Sequence, residues 1–169
     1  MQAVYPSKGK TQNDSQKRYK SDVPEMLYFA PEGLLPAGHT LVLNRKLGTL
    51  SYLSKGSDHP QLVMQQQFTS SELSLLLPLL ELYPAYCPYE VMFASFYNGT
   101  ITEETVELCR QRLYDALDRG TWDQQLRPLR NVLSRTRIKL RPFGIDISSI
   151  LETGYILMIS VRPDSREIA

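Results

Sequence analysis

Cysteine and histidine are scarce. The 169 residues hold two of each: Cys87, Cys109, His39 and His59. No CxxC pair and no histidine cluster occurs, so the sequence offers neither a zinc site nor a disulfide framework. Both histidines fall in turn-like segments and are expected in solvent. Two isolated thiols suit a reducing compartment. No apolar run reaches the ~18 residues of a membrane-spanning helix, and the start of the chain has no signal-like apolar region. The expectation is a cytoplasmic chain with no membrane contact. A Gly-rich phosphate loop is also missing. Paired acids occur only at helix starts, where the helix dipole accounts for them without catalysis. No catalytic residue, cofactor or metal is expected, and an enzyme is the poorest class. Excess charge is absent too: 19 Lys and Arg face 18 Asp and Glu, a formal net charge of +1. A non-specific nucleic-acid binder carries far more positive charge, so any such role has to come from local clustering.

Such a cluster is present. Residues 124–145, "QQLRPLRNVLSRTRIKLRPFGI", hold six basic side chains and no acid: Arg127, Arg130, Arg135, Arg137, Lys139 and Arg141. The same segment has Leu126, Leu129, Leu133, Thr136 and Leu140 at 3-4-3-4 spacing, which predicts one buried helical stripe. Asp123 or Arg127 precedes the expected helix start, with Pro128 in the first turn. At ~100° per residue, Arg127, Asn131, Ser134, Arg135 and Ile138 point away from the stripe. Arg130, Arg137 and Arg141 flank one side of it and Lys139 the other.

The rest of the chain divides by composition. Residues 1–25 are polar and Lys-rich, too poor in apolar surface to offset ordering entropy. They are expected to form a disordered basic arm, with the stretch from Lys8 to Lys20 adding phosphate contacts. A folded domain is expected over 26–163 and a tail over 164–169. Within the domain, the short β-rich runs at 26–68 alternate with turn-rich segments, which predicts a small antiparallel sheet. Thr69-Ser70-Ser71-Glu72 is a capping box opening a leucine-dense helix over 69–84, which Pro78 should kink or divide. A second helix is expected over 87–99, with Pro88 in its first turn, and a third over 101–120 with Thr102 as cap. Val106, Cys109, Leu113 and Leu117 share a face of that third helix. The aromatics at 83, 86, 89, 93, 96 and 97 are expected in packing rather than in base stacking. After the basic helix, Ile145, Ile147 and Ile150 lead to a turn at Glu152-Thr153-Gly154. Tyr155, Leu157, Ile159 and Val161 then alternate, which predicts a terminal hairpin.

Helices followed by a basic helix and a hairpin describe a winged helix-turn-helix, an α+β fold. "FTSSELSLLLPLLELYPAYCPYEVM" and "VLSRTRIKLRPFGIDISSILETGYIL" resemble the helix 1 to helix 2 stretch and the recognition helix plus wing of the OmpR/PhoB-type DNA-binding domain of bacterial response regulators. The resemblance spans roughly residues 27–160. It implies a small N-terminal antiparallel sheet, a three-helix core, a recognition helix at about 127–141 in the major groove of double-stranded DNA, and a wing at about 145–161 on the backbone. The carried-over contacts are Arg127, Arg135, Arg137 and Lys139, with Gly154 and Tyr155 on the wing's Gly-Tyr. The expected DNA-binding set is Arg127, Arg135, Arg137, Lys139 and Gly154 from this match, with Arg130, Asn131, Ser134, Arg141 and Thr153 added from the helix face and turn. The chain departs from the family in four ways, one being that Pro128 and Arg130 replace residues that are usually Thr and Asp. Leu151 and Glu152 stand where the wing usually has arginine and glycine, the helix at 101–120 is expected to be an insertion, and no receiver domain is expected ahead of the module. RNA polymerase and a second copy of the chain are further candidate partners. The rival expectation is a winged-helix protein-interaction module that has left DNA behind.

Overall fold

A computed structural model describes residues 25–160. Residues 1–24 of the expected 1–25 arm, residues 161–163 of the expected domain, Val161 among them, and the 164–169 tail lie outside the described residues. Four antiparallel strands come first: β1 (Met26–Phe29), β2 (Thr40–Asn44), β3 (Thr49–Ser54) and β4 (Gln61–Gln67), in that order across the sheet. Alternation along them turns Leu41, Leu43 and Leu50 inward, where they are fully buried. The architecture is α+β, as the sequence pattern predicts.

Helix α1 (Ser70–Leu82) starts at the predicted capping box. Thr69 Oγ1 accepts from the Glu72 amide, and Glu72 accepts from the Thr69 amide. Pro78 neither divides the helix nor ends it. Proline cannot donate to the Ser74 carbonyl one turn back, and the Ser95 hydroxyl donates to that carbonyl instead. A borrowed donor thus repairs the gap that proline opens.

The predicted second helix is shorter and less regular than expected. Cys87–Pro88 form a two-residue strand, β5, rather than a first turn. Helix α2 (Tyr89–Phe93) follows, with Pro88 at its N-cap, and runs into a π-helical turn (Ala94–Asn98) that Gly99 closes. Helix α3 (Glu103–Arg119) begins at the expected Thr102, whose side chain exchanges hydrogen bonds with Thr105. Cys109, Leu113 and Ala116 are its buried residues, whereas Leu117, expected on the same face, is 55 % exposed. Packing against both α2 and α4 rotates the buried arc away from Leu117.

Helix α4 (Trp122–Leu140) begins earlier than the sequence pattern predicts, so Pro128 lies in its second turn. Trp122 stands four residues before Leu126 and extends the apolar stripe by one step. All five predicted stripe residues are buried, and Val132 joins them. A 3-10 turn (Arg141–Phe143) and Gly144 lead to the hairpin β6 (Ile145–Ile150) and β7 (Gly154–Ile159). β7 lies between β5 and β6 in a second, three-stranded sheet. Tyr155 and Leu157 point inward, but Ile159 is exposed, breaking the predicted alternation at its end. The two sheets and the helices share one core, which includes Leu43, Leu75, Met92, Phe93, Leu129 and Ile145.

Gly154 sits where β5 crosses β7. A Cβ there would lie 2.0 Å from the Cys87 carbonyl oxygen, so the strands approach closely only because the residue is glycine. Gly154→Ala is expected to destabilise the fold by about 2 kcal/mol, measured by urea unfolding, because backbone must move to admit the methyl group.

Candidate nucleic-acid interface

The geometry of α4 follows from its buried side. Leu126, Leu129, Val132, Leu133, Thr136 and Leu140 pack toward α1, α3 and β6. The Thr136 hydroxyl is satisfied internally, donating to the Val132 carbonyl at 2.8 Å. At 100° per residue the opposite arc carries Arg130, Arg141, Ser134, Arg127, Ile138, Asn131 and Arg135 in angular order, and all seven are exposed. No acid lies in sequence between Gln124 and Ile145. The result is a solvent-facing ridge of cations and amide or hydroxyl groups on a helix that the core holds in one orientation.

The basic residues divide into two groups. Lys139 serves structure. Its ammonium donates to Glu72 Oε1 at 2.8 Å and to the Gln67 carbonyl at 3.0 Å, and it lies 5.5 Å from the centre of the Phe68 ring. It ties the end of α4 to the start of α1 and the end of β4, so its cation is not presented on the ridge. Arg137 is half-buried, with its Nε 4.0 Å from Asp146 Oδ1 on β6. Arg130 pairs with Asp123 at 3.1 Å on the same helix. Arg127, Arg135 and Arg141 form no ion pair among the described residues. Ser134 donates to the Arg130 carbonyl at 3.0 Å, which leaves its oxygen as an acceptor facing solvent.

At the hairpin turn, Leu151 is 86 % exposed and Glu152 holds a left-handed backbone with φ of 54°. Thr153 is half-buried; its hydroxyl donates to the Leu151 carbonyl, and its own carbonyl accepts from the Tyr89 amide. Gly154, expected among the DNA-facing residues, is buried beneath β5. The turn therefore presents an apolar side chain and an acid where the resemblance implies a cation.

The aromatics expected in packing divide into buried and exposed groups. Tyr89 and Phe93 are buried, Tyr83 and Phe96 partly so, and Tyr86 and Tyr97 are exposed. His39 is not fully solvated as expected: its Nδ1 lies 2.7 Å from the Tyr52 hydroxyl. Cys87 and Cys109 are buried free thiols. Burial, then the Glu90 carboxylate, pushes the Cys87 thiol up to about 12. Burial likewise raises Cys109. Thiolates, the reactive form, are therefore scarce near neutral pH. Among the described residues, no helix is long and apolar enough to cross a membrane. Comparison of the chain with family models, curated proteins and solved structures gives no match.

The pairing of Lys139 with Glu72 is not legible in the sequence. The capping box was legible, but a contact 67 residues apart leaves no local signal. Glu72 is only 1 % exposed. Burial pushes its carboxyl up, yet Lys139, the Thr69 hydroxyl and the Thr69 amide together hold it below the ordinary glutamate range. A lowered folded-state pKa stabilises the fold above the unfolded value, and that contribution is lost as pH falls through the folded value. Lys139→Met leaves a buried carboxylate unpaired and should cost about 3 kcal/mol at neutral pH. The variant's Glu72 then favours protonation, so acidification should narrow the gap to wild type. Urea unfolding between pH 7 and pH 4 reads both effects.

Proposed function

We propose that the chain is a winged-helix transcription regulator of the OmpR/PhoB type that binds double-stranded DNA. Helix α4 enters the major groove, and the β6–β7 turn rests beside the backbone. The observation that carries this reading is the acid-free exposed ridge of α4, on which Arg127, Arg135 and Arg141 have no ion pair among the described residues. Like charges gathered on one helix face repel each other, and an anionic partner relieves that repulsion. The major groove is ~12 Å wide and admits an α-helix. The β5-β7-β6 order, with the hairpin directly after α4 and β6 packed on it, also supports this reading.

The roles follow from side-chain chemistry. Arg127, Arg135 and Arg141 neutralise phosphates and release counterions, and one of them can instead grip guanine O6 and N7 in bidentate fashion. Asn131 has the donor and acceptor pair that adenine N7 and N6 require. Ser134 offers an acceptor to an exocyclic amine. Arg130 reaches DNA only by exchanging Asp123 for a phosphate. Lys139 and Arg137 position α4. Glu152 repels phosphate, so specificity rests on the helix rather than on the wing.

The rival reading, a protein-interaction module, is favoured by Leu108, Tyr114 and Leu117, exposed on α3. Salt dependence separates the two. The test is selection from a pool of random duplexes at low and moderate salt, followed by affinity measurements on the enriched sequence. The DNA reading predicts one enriched motif. It also predicts that Arg127→Ala and Arg135→Ala each weaken binding by about 1–3 kcal/mol and each lower the salt slope by about 1 if they contact phosphate. No enrichment at low salt, or binding indifferent to both arginines in folded variants, overturns it.

A further inference from the structure

On the side of the molecule where α2, α3, the first turn of α4 and the hairpin turn meet there is an open cleft of about 240 Å³. Its lining includes Tyr86, Tyr89, Tyr114 and Trp122, together with Glu90 and Glu152. We propose that this cleft binds a small organic cation, of the quaternary ammonium or guanidinium class, with the aromatic side chains supplying π-faces and Glu152 the counter-charge.

Core packing accounts for Tyr89 and Trp122 but not for Tyr86 and Tyr114, which lie outside the core at the mouth of the cleft. Tyr89 is buried and holds the back of the cleft, edge-on to Trp122 with ring centres 5.5 Å apart. Tyr86 and Tyr114 are 44 % and 57 % exposed at the mouth, so much of their apolar surface lies open to water. The faces of Tyr and Trp carry negative potential and attract cations within ~6 Å, most strongly when the cation sheds water. The charges lining the cleft point the same way. It has two acids, Glu90 and Glu152, against one cation, Arg110, which leaves one negative charge. Arg110 is already engaged by Glu107 and by Glu90, the latter at 3.6 Å. Glu152 forms no ion pair among the described residues.

Glu152 also carries the one left-handed non-glycine backbone among the described residues. An L-residue in that conformation costs roughly 1–2 kcal/mol relative to glycine. The tight hairpin loop accounts for that conformation, with the Thr153 amide donating to the Ile150 carbonyl, and it places the Glu152 carboxylate on the lining of the cleft. The volume suits a compact ligand rather than a peptide segment. The cleft shares Glu152 and Thr153 of the hairpin turn with the proposed DNA surface but none of the unpaired arginines of α4, so cation binding is measured on the chain without DNA and does not require that α4 bind it.

Trp122 is the single tryptophan of the chain, so its fluorescence reports directly on the cleft. The experiment titrates the full chain with choline and with agmatine at constant ionic strength. The control is 3,3-dimethyl-1-butanol, the neutral isostere of choline, and calorimetry run beside the titration catches spectrally silent binding. The expected result is saturable binding of at least one cation, at least tenfold tighter than the isostere. Tyr114→Ala and Glu152→Gln should each weaken it about fivefold, while Arg135→Ala leaves it unchanged. Tyr114 and Glu152 are exposed, so both variants should fold, and their unfolding curves check this. No saturation below roughly 10 mM with either cation, a preference under tenfold, or indifference to both substitutions overturns the proposal.

Discussion

Everything distinctive about this chain depends on the burial of one helical stripe. Leu126, Leu129, Val132, Leu133, Thr136 and Leu140 are removed from water. Each leucine contributes roughly 2 kcal/mol toward fixing α4 against the core. A helix locked on one side has no freedom on the other. Once the stripe is buried, Arg127, Asn131, Ser134 and Arg135 face solvent by geometry alone. The helix tolerates this crowding of cations because the core holds it.

The two positioning contacts of α4 complete that constraint. Lys139 joins its end to Glu72 and Gln67, linking the last helix to the junction of the first sheet and first helix. Arg137 reaches Asp146 on the hairpin. Both cations also belong to the basic cluster seen in the sequence, and composition alone does not distinguish them from the exposed ones. The distinction lies in angle. Lys139 falls on the flank facing α1, and Arg137 on the flank facing β6. A basic helix of this kind spends part of its charge on its own placement and presents the rest.

Much of this architecture is legible in the order of residues alone. The strands over 26–67 follow from alternation bounded by turn residues. The start of α1 follows from Thr69 and Glu72, and the α4 stripe from 3-4-3-4 spacing. These are local signals, and local geometry determines them. The features that stay hidden depend on distant partners. Two residues, Cys87 and Pro88, are too few to show a strand period, and they become β5 only because β7 lies alongside. Leu117 reads as buried from its spacing but is exposed because two helices, not one, set the buried arc of α3. Pro78 reads as a break and is not one, because Ser95 arrives from 21 residues away. On the ridge, the sequence pattern identifies the exposed residues. It does not reveal that Lys139 is engaged elsewhere, that Gly154 is buried, or that the hairpin turn carries Glu152 in a left-handed backbone beside four aromatics.

The central claim is that the outward ridge of α4 is the surface that meets an anionic partner. Amide NMR of the full chain, titrated with mixed-sequence duplex DNA at low salt and again at moderate salt, tests it residue by residue. Docking of the ridge on DNA predicts that the largest shifts fall on residues 127–141, that smaller ones fall at 151–153, and that both fade as salt rises. Shifts centred on the outer face of α3 or on the four-stranded sheet, or no shifts at low salt, would contradict it.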